Sequence, residues 1–273
     1  MSKRAKLRFY KMSGSGNDFV VVDAREEPHT ELRTPTAIQR LSARGTGVGA
    51  DGLVLLAADT SADFRMIYYN ADGSRASMCG NAALCCTRLA NELGIGDGGP
   101  VSFQTDCGPV AARVVGGRPE IDLTPVSLVQ IEAPVAPQSG ESRIGYAVAG
   151  VPHLAVLVKD IDTADVFGRG RELRYAPELG PEGANANFIA RQPDGWAMRT
   201  YERGVEAETL ACGTGAVASA VLIQAWGLAR GRIDLITRSG QTLSVSLRRV
   251  EDLWFPTLSG EGRIVFSGEL EDL

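Results

Sequence analysis

Two cysteines, Cys79 and Cys212, each precede a glycine and then a helical pattern. A thiol at the start of a helix faces unpaired backbone N–H groups and the positive end of the helix dipole, and both favour the thiolate. The same N–H groups can bind a carboxylate where small residues let it approach. A thiolate and a thiol on opposite faces of one carbon can remove a proton from one face and add a proton to the other. The pair therefore indicates inversion of a carbon centre.

A single cysteine in this position is usually just a small buried residue, so the functional hypothesis depends on the pairing. Residues 66–69 resemble residues 198–201 at an offset of 132, and residues 79–83 resemble residues 212–216 at an offset of 133. The sequence contains two further matches at similar offsets, 16–23 with 150–157 and 101–108 with 233–240. Four matches in the same order predict that the chain contains two similar halves.

The elements expected around the cysteines are short strands and one marked helix in each half. Runs rich in β-branched and aromatic residues predict strands at 19–22, 53–56, 66–69, 110–114, 154–158, 197–201 and 243–247. Helical stretches at 82–93 and 216–228 follow the cysteines and end near glycines. We expect an α+β fold with two pseudo-symmetric halves, each a mostly antiparallel wrap of strands around a central helix.

The boundary between the halves is expected in residues 124–141, which contain three prolines and end in a polar, glycine-containing stretch. The predicted domains are residues 1–124 with Cys79, completed by a C-terminal strand at 262–273, and residues 125–261 with Cys212.

The composition excludes several classes of function. The chain has 273 residues, 44% of them hydrophobic, with 28 basic and 33 acidic side chains and a net charge of −5. This balance argues against binding to nucleic acid or to an acidic membrane surface. We find neither a secretion signal nor an apolar stretch long enough to span a membrane, and therefore expect a cytoplasmic protein.

The remaining cysteines and the glycine-rich stretches do not indicate another kind of site. An odd number of cysteines, five, argues against a disulfide framework, and the absence of C-x-x-C with only two histidines argues against zinc. We expect Cys85, Cys86 and Cys107 to be packing residues. Residues 14–16 and 45–49 lack the lysine of a phosphate-binding loop, so we expect tight turns there.

A resemblance to a known family rests on the segments around both cysteines. Cys79-Gly80-Asn81 and Ala211-Cys212-Gly213-Thr214-Gly215 are similar to the two active-site signatures of the diaminopimelate epimerase family. Segments similar to other motifs of that family follow in family order, at 16–19, 47–52, 70–74, 152–153, 185–188 and 202–205. The resemblance covers nearly the whole chain.

The resemblance implies an isomerase of lysine and peptidoglycan precursor biosynthesis that interconverts LL- and meso-diaminopimelate in a cleft between the halves. It implies a small-molecule substrate, a homodimer, and neither a cofactor nor a metal. Cys79 and Cys212 would be the acid and base, with His153 as partner of Cys79 and Glu202 as partner of Cys212. The remaining implied residues bind the substrate: backbone N–H groups of Gly80, Asn81, Gly213 and Thr214 hold the reacting carboxylate, and Asn17, Asn70, Asn185 and Arg203 hold the distal end.

Some residues depart from the family pattern and leave alternatives open. Val151 stands where many members have asparagine, and Gly52 stands where some have glutamine. An epimerase or racemase for another amino acid on the same scaffold is therefore the alternative. Without the resemblance, His153 would be a hydrogen-bonded histidine at the start of a strand and Arg203 a surface ion-pair residue. A thiol oxidoreductase and an inactive binding protein are further alternatives, which the missing C-x-x-C and the four retained catalytic residues disfavour.

Overall fold

The computed structural model describes residues 7–270, which form two compact units. The first unit comprises residues 7–121 and 260–270 of the described chain, and the second comprises residues 122–259. The predicted domains also include residues 1–6 and 271–273, which lie outside the described residues.

The first unit is a mixed sheet with two α-helices. Its strands are β1 (Leu7–Gly14), β2 (Asn17–Ala24), β3 (Gly52–Ala57), β4 (Phe64–Asn70), β5 (Arg75–Ala76), β6 (Val101–Thr105), β7 (Gly108–Val115), β8 (Arg118–Asp122, ending at the unit boundary) and β18 (Arg263–Leu270). Its helices are α1 (Pro35–Ser42) and α2 (Gly80–Glu92), with 3-10 turns at Thr30–Arg33 and Ile95–Gly98. Strands β18, β1 and β2 pair antiparallel, β2 pairs with β3 in parallel, and β3 pairs with β4 antiparallel. Strand β4 then pairs antiparallel with β5 and in parallel with β6, which pairs antiparallel with β7.

The second unit repeats this arrangement. Its strands are β9 (Val129–Gln130), β10 (Glu141–Ala149), β11 (Val151–Val158), β12 (Asn185–Gln192), β13 (Gly195–Glu202), β14 (Ala207–Thr209), β15 (Ile233–Ile236), β16 (Thr242–Val250) and β17 (Leu253–Ser259). Its helices are α3 (Gly168–Arg174) and α4 (Gly213–Ala225), with a 3-10 turn at Pro177–Leu179. Strands β9, β10 and β11 pair antiparallel, β11 pairs with β12 in parallel, and β12 pairs with β13 antiparallel. Strand β13 pairs antiparallel with β14 and in parallel with β15, after which β15, β16 and β17 are antiparallel.

Strand register shows that the two units are pseudo-symmetric. In the first unit Met66 lies opposite Leu56, and Leu56 lies opposite Asp23. In the second unit Met198 lies opposite Ile189, which lies opposite Leu157. The same three strands thus pair at the same positions in both units. The predicted α+β class and the duplication into similar halves are confirmed.

The helices that follow the two cysteines are the buried centres of their units. Helix α2 packs against β1, β2, β4, β7 and β18, and α4 packs against β10, β11, β12, β16 and β17. Helix α4 is apolar on nearly all sides, as expected for a helix enclosed by strands. Both helices begin two or three residues earlier than predicted, because the glycines after each cysteine already form the first turn.

Three local features go beyond the sequence-based expectations. Residues 124–141 contain strand pairings, since Val126 pairs with Trp254 and β9 within this segment pairs with β10. Helices α1 and α3 were not predicted from the sequence. Helix α1 carries a recognisable start signal, since the Thr34 side chain accepts a hydrogen bond from the N–H of Ala37 at 3.3 Å and Pro35 follows it.

Among residues 7–270, none of the helices combines the length and the apolar character needed to cross a membrane.

Candidate active site

Cys79 is the last residue before α2 and is half-buried. Its backbone is extended, with φ −137° and ψ 122°, and its carbonyl accepts the N–H of Ala83 at 2.9 Å. The first N–H groups of an α-helix have no acceptor within the helix. The N–H groups of Gly80 and Asn81 therefore lack an acceptor within α2, at the end of the helix where the dipole favours a bound anion.

The Asn81 side chain contacts a second predicted substrate-binding residue, Asn17. Its Nδ2 donates to Asn17 Oδ1 at 2.7 Å, and Asn17 Nδ2 donates to Asp51 Oδ2 at 3.1 Å. Asn81 is buried, and within residues 7–270 its Oδ1 atom has no hydrogen-bond partner. A buried acceptor without a partner is costly. Asn81 Oδ1 is therefore a candidate contact for a substrate N–H group.

An ion cluster adjoins Asn17 through Asp51 and was not predicted from the sequence. Lys11 Nζ contacts one oxygen of Asp18 at 2.5 Å, and Arg44 donates to both oxygens of Asp18 and to Asp51. Burial by itself raises the pKa of the Asp18 carboxyl, but the hydrogen bonds from Arg44 and Lys11 outweigh it and lower that pKa to about 2. Since Arg44 also holds Asp51, the cluster fixes the acceptor of the Asn17 amide and thereby the direction in which Asn17 points.

Close packing between β3 and β4 explains the glycine at position 52. Gly52 and Asn70 lie opposite each other in the β3–β4 register, and Asn70 Nδ2 donates to the Ser74 hydroxyl at 3.0 Å. A Cβ atom at Gly52 would lie 2.7 Å from the Tyr68 ring and would collide with the Tyr69 carbonyl oxygen. Any side chain at position 52 would need these neighbours to shift. Glycine is thus required by the packing of this chain.

Cys212 occupies the position in the second unit that Cys79 has in the first. It precedes α4 with an extended backbone, φ −131° and ψ 110°, and its carbonyl accepts the N–H of Ala216 at 2.9 Å. Its Sγ atom lies 3.6 Å from Thr214 Oγ1. A Cβ atom at Gly215 would lie 3.2 Å from that sulfur and would collide with Asn187 Oδ1, so the first turn of α4 requires glycine there.

His153 is fully buried on β11 and contacts Asn187 of the neighbouring strand β12. Its Nδ1 atom lies 3.2 Å from Asn187 Nδ2, and its buried Nε2 atom has no hydrogen-bond partner within residues 7–270. Burial, and secondarily the charge of Arg203, lowers the pKa of His153 to about 3. His153 is therefore a neutral imidazole near pH 7.

This lowered pKa predicts an acid sensitivity of stability that depends on His153. An unfolded histidine binds a proton near pH 6.5, whereas the folded protein resists protonating His153 until about pH 3. The stabilisation is complete above pH 6.5 and is lost as the pH falls through that interval. We expect the free energy of unfolding of the wild type to fall relative to His153→Gln by up to about 1.4 kcal/mol per pH unit between these values. Urea unfolding at several pH values measures this difference, and parallel pH profiles for the two proteins would contradict it.

Asn185 at the start of β12 lies beside Glu202 at the end of β13 and Arg203 directly after it. Asn185 Oδ1 accepts the backbone N–H of Arg203 at 2.8 Å, and its Nδ2 donates to the Pro152 carbonyl at 3.2 Å. The amide therefore joins the start of β11 to the turn after β13. The Arg203 guanidinium pairs with Glu182 at 2.9 Å, and that glutamate side chain is 80% exposed. Burial raises the pKa of the Glu202 carboxyl at the end of β13.

Comparison with known proteins identifies the family of this chain. The family model described as diaminopimelate epimerase matches residues 9–129 and 145–252. A protein of Gemmatimonas aurantiaca named diaminopimelate epimerase is 45% identical over 278 residues, which cover 98% of this chain and 100% of that protein. This chain belongs to the diaminopimelate epimerase family. It is accordingly an isomerase, an epimerase that acts on a small-molecule substrate.

Solved structures of lower identity share the fold of this epimerase. A Bacillus anthracis phenazine biosynthesis protein of the PhzF family matches with a TM-score of 0.74 at 15% identity, covering 97% of this chain and 99% of that one. A hydroxyproline epimerase from Agrobacterium vitis, with trans-4-hydroxy-L-proline bound, matches with a TM-score of 0.67 at 18% identity, covering 99% and 92%. The two-unit architecture is thus common to this epimerase and to these more distant proteins.

The other cysteines of the epimerase divide into buried and exposed. Cys85 and Cys86 lie inside α2 and are buried, as predicted, and burial raises the pKa of both thiols. The prediction for Cys107 is wrong, because this residue is exposed in the turn between β6 and β7, where its N–H donates to Thr105 Oγ1 at 3.1 Å. Within residues 7–270 no group of three or more histidine, cysteine, aspartate or glutamate side chains is arranged to hold a metal ion.

Proposed function

We propose that this epimerase interconverts LL- and meso-diaminopimelate by two-base proton transfer at Cys79 and Cys212, without a cofactor. The observation that carries the proposal is the equivalence of the two cysteines: each precedes the central helix of one of two units with the same topology. A reaction that exchanges a proton between two faces of one carbon needs two such groups with exchangeable roles.

In the proposed reaction one cysteine gains a proton from the substrate and the other gives a proton to it. In one direction the Cys79 thiolate takes the α-proton, and the electron pair left on the α-carbon spreads into the adjacent substrate carboxylate. Backbone N–H groups at Gly80, Asn81, Gly213 and Thr214 stabilise that charge. The Cys212 thiol then gives its proton to the opposite face and is left as thiolate. The reverse reaction exchanges the two roles.

Glu202 and His153 are proposed as partners of the two thiols. A carboxyl whose pKa is raised by burial, as at Glu202, exchanges protons more readily near neutral pH than an exposed one. We assign Glu202 to Cys212 and His153 to Cys79.

Arg203 is proposed to bind the distal carboxylate together with Asn17, Asn70 and Asn185. Its planar guanidinium suits two-point contact with a carboxylate. In the structure it pairs with the largely exposed Glu182, so a substrate carboxylate can replace that partner at little cost. The epimerase or racemase of another amino acid is not favoured, because the matching family model and the 45% identical relative are both described as diaminopimelate epimerase.

The biological setting completes the proposal. We propose a homodimeric cytoplasmic enzyme of lysine and peptidoglycan precursor biosynthesis. The predicted domains, 1–124 with 262–273 and 125–261, are proposed to correspond to the two observed units.

Solvent deuterium tests both the reaction and the substrate. The reduced protein in deuterated water should replace the α-hydrogen of diaminopimelate with deuterium without added pyridoxal phosphate or metal, and should leave lysine, which lacks the distal carboxylate, largely unlabelled.

Arg203→Lys should raise KM for diaminopimelate about 10- to 100-fold, because a two-point charge-assisted contact becomes a single one. Arg191→Lys is the matched control. Arg191 stacks on Trp196 near the end of β12, whereas the proposed substrate-binding residue Asn185 lies at the start of that strand. Equal kcat/KM for lysine and diaminopimelate would favour the alternative substrate class, and dependence on an added cofactor would contradict the mechanism.

A further inference from the structure

The hydrogen bonds of Asn187 determine which way its amide group points. Nδ2 lies 2.8 Å from the Leu154 carbonyl oxygen, and a carbonyl oxygen can only accept a hydrogen bond. The nitrogen must therefore face Leu154, which leaves Oδ1 to accept the Thr200 hydroxyl at 2.9 Å. Both contacts are buried, and the reversed amide would place two acceptors against each other at Leu154.

The fixed amide in turn determines where the proton of His153 lies. Asn187 Nδ2 carries two hydrogens, one for the Leu154 carbonyl and one that points to His153 Nδ1 at 3.2 Å. A ring nitrogen that receives a hydrogen bond carries no proton of its own. The proton of the neutral imidazole must then be on Nε2, which is buried and has no partner within residues 7–270.

We propose that Asn187 is a positioning residue that holds His153 as the neutral Nε2–H tautomer, so that His153 acts as a hydrogen-bond donor and not as a proton acceptor. The inference rests on the proposed function, in which His153 is the partner of the Cys79 thiol. Protonating Nδ1 would set an N–H against the Asn187 N–H, so the imidazolium is disfavoured by geometry as well as by burial.

The chemical consequence is a division of labour between the partners of the two thiols. An N–H donor stabilises thiolate and cannot take a proton from a thiol, so His153 would lower the barrier to forming thiolate at Cys79 without exchanging protons. Proton exchange with a thiol is then assigned to Glu202, the proposed partner of Cys212. Asn187 also contacts the first turn of α4 through Gly215, so one residue connects the tautomer of His153 to the helix start that carries Cys212.

Nitrogen NMR of the histidine rings tests the tautomer directly, because the chain contains only His29 and His153. The ¹⁵N-histidine-labelled protein without substrate, with His29→Gln to assign the signals, should show a protonated Nε2 and an unprotonated Nδ1 for His153. Asn187→Asp replaces the donor with an acceptor and should move the proton to Nδ1. We expect kcat of that variant to fall about 100-fold or more, with KM changed less than about threefold.

Two further variants keep the test decisive if Asn187→Asp does not fold. Asn187→Ala removes the donor without adding an acceptor, and should give a mixture of both tautomers. Thr200→Val is the matched control: it perturbs the same buried pair but leaves the Leu154 contact that orients the amide, so His153 should keep its Nε2 proton. A protonated Nδ1 in the wild type, or an unchanged pure Nε2–H tautomer in Asn187→Ala, would overturn the proposal. Because these spectra need no substrate, a failed deuterium exchange with the expected tautomer would count against the proposed function alone.

Discussion

Replacement of either Cys79 or Cys212 with alanine is expected to lower kcat for epimerisation by about 10²- to 10⁴-fold, the usual contribution of one general acid or base. The loss should be similar for both variants, because in the proposed mechanism every turnover in either direction uses one cysteine as base and the other as acid. The rate of conversion between LL- and meso-diaminopimelate, followed by chiral chromatography, measures the effect. Neither unit is expected to support inversion with its own cysteine alone.

The exposed Cys107 provides a matched control for these replacements. Cys107→Ala removes a thiol from the same protein at a surface turn, and should retain wild-type kcat and KM. Thermal unfolding of all three variants distinguishes lost chemistry from lost fold. Near wild-type epimerisation by either Cys79→Ala or Cys212→Ala would show that the assignment of two bases is wrong.

The fold was largely predictable because its signals are local or repeated. Strand runs such as 66–69 and 198–201 have β-rich composition, and the nearly constant offset between matching segments predicts the duplication. The observed registers of Met66 and Met198 agree with that offset. The strand pairing inside 124–141 was not predictable, because prolines occur both in linkers and in short edge strands, and only the pairing of β9 with β10 separates the two.

The site was less predictable, because its supporting contacts join residues far apart in the chain. Motif resemblance supplied the catalytic candidates, but the Lys11, Asp18 and Arg44 cluster depends on a loop that returns to β2. Asn187 lies within a motif that the sequence shows. Its proposed role in holding the tautomer of His153 follows only from three hydrogen bonds to residues at least 13 positions away. Charge and amide patterns in a sequence do not specify such pairings.

The two units are alike where the reaction is symmetric and differ elsewhere. Both helices begin directly after a cysteine with a similar extended backbone. The side chains at equivalent positions differ, since Asn81 donates to Asn17 in the first unit whereas Thr214 Oγ1 lies 3.6 Å from Cys212 Sγ in the second. In the proposed reaction the reacting centre is inverted while the distal end of the substrate stays in place. The symmetric features would then serve proton transfer, and the differing side chains would orient the substrate.

Replacement of the same cysteines with serine is expected to uncouple proton exchange from inversion. A hydroxyl is a far weaker acid than a thiol, so the substituted side no longer delivers a proton to the carbanion. The remaining thiolate still removes the α-proton that faces it, and the resulting thiol exchanges with solvent before it returns a deuteron to the same face. Each serine variant should thus label one stereoisomer without inverting it, at least about tenfold faster than the other stereoisomer.

The labelled isomer should switch between Cys79→Ser and Cys212→Ser, because the two thiols are proposed to face opposite sides of the α-carbon. Incubation of each variant with LL- and meso-diaminopimelate in deuterated water, followed by mass spectrometry of the separated isomers, measures the preference. The switch is more informative than loss of activity, since a general structural defect lowers both labelling rates together and cannot reverse their order. The same preferred isomer in both serine variants would mean that one cysteine performs both proton transfers, and the opposed-face assignment of Cys79 and Cys212 would then be abandoned.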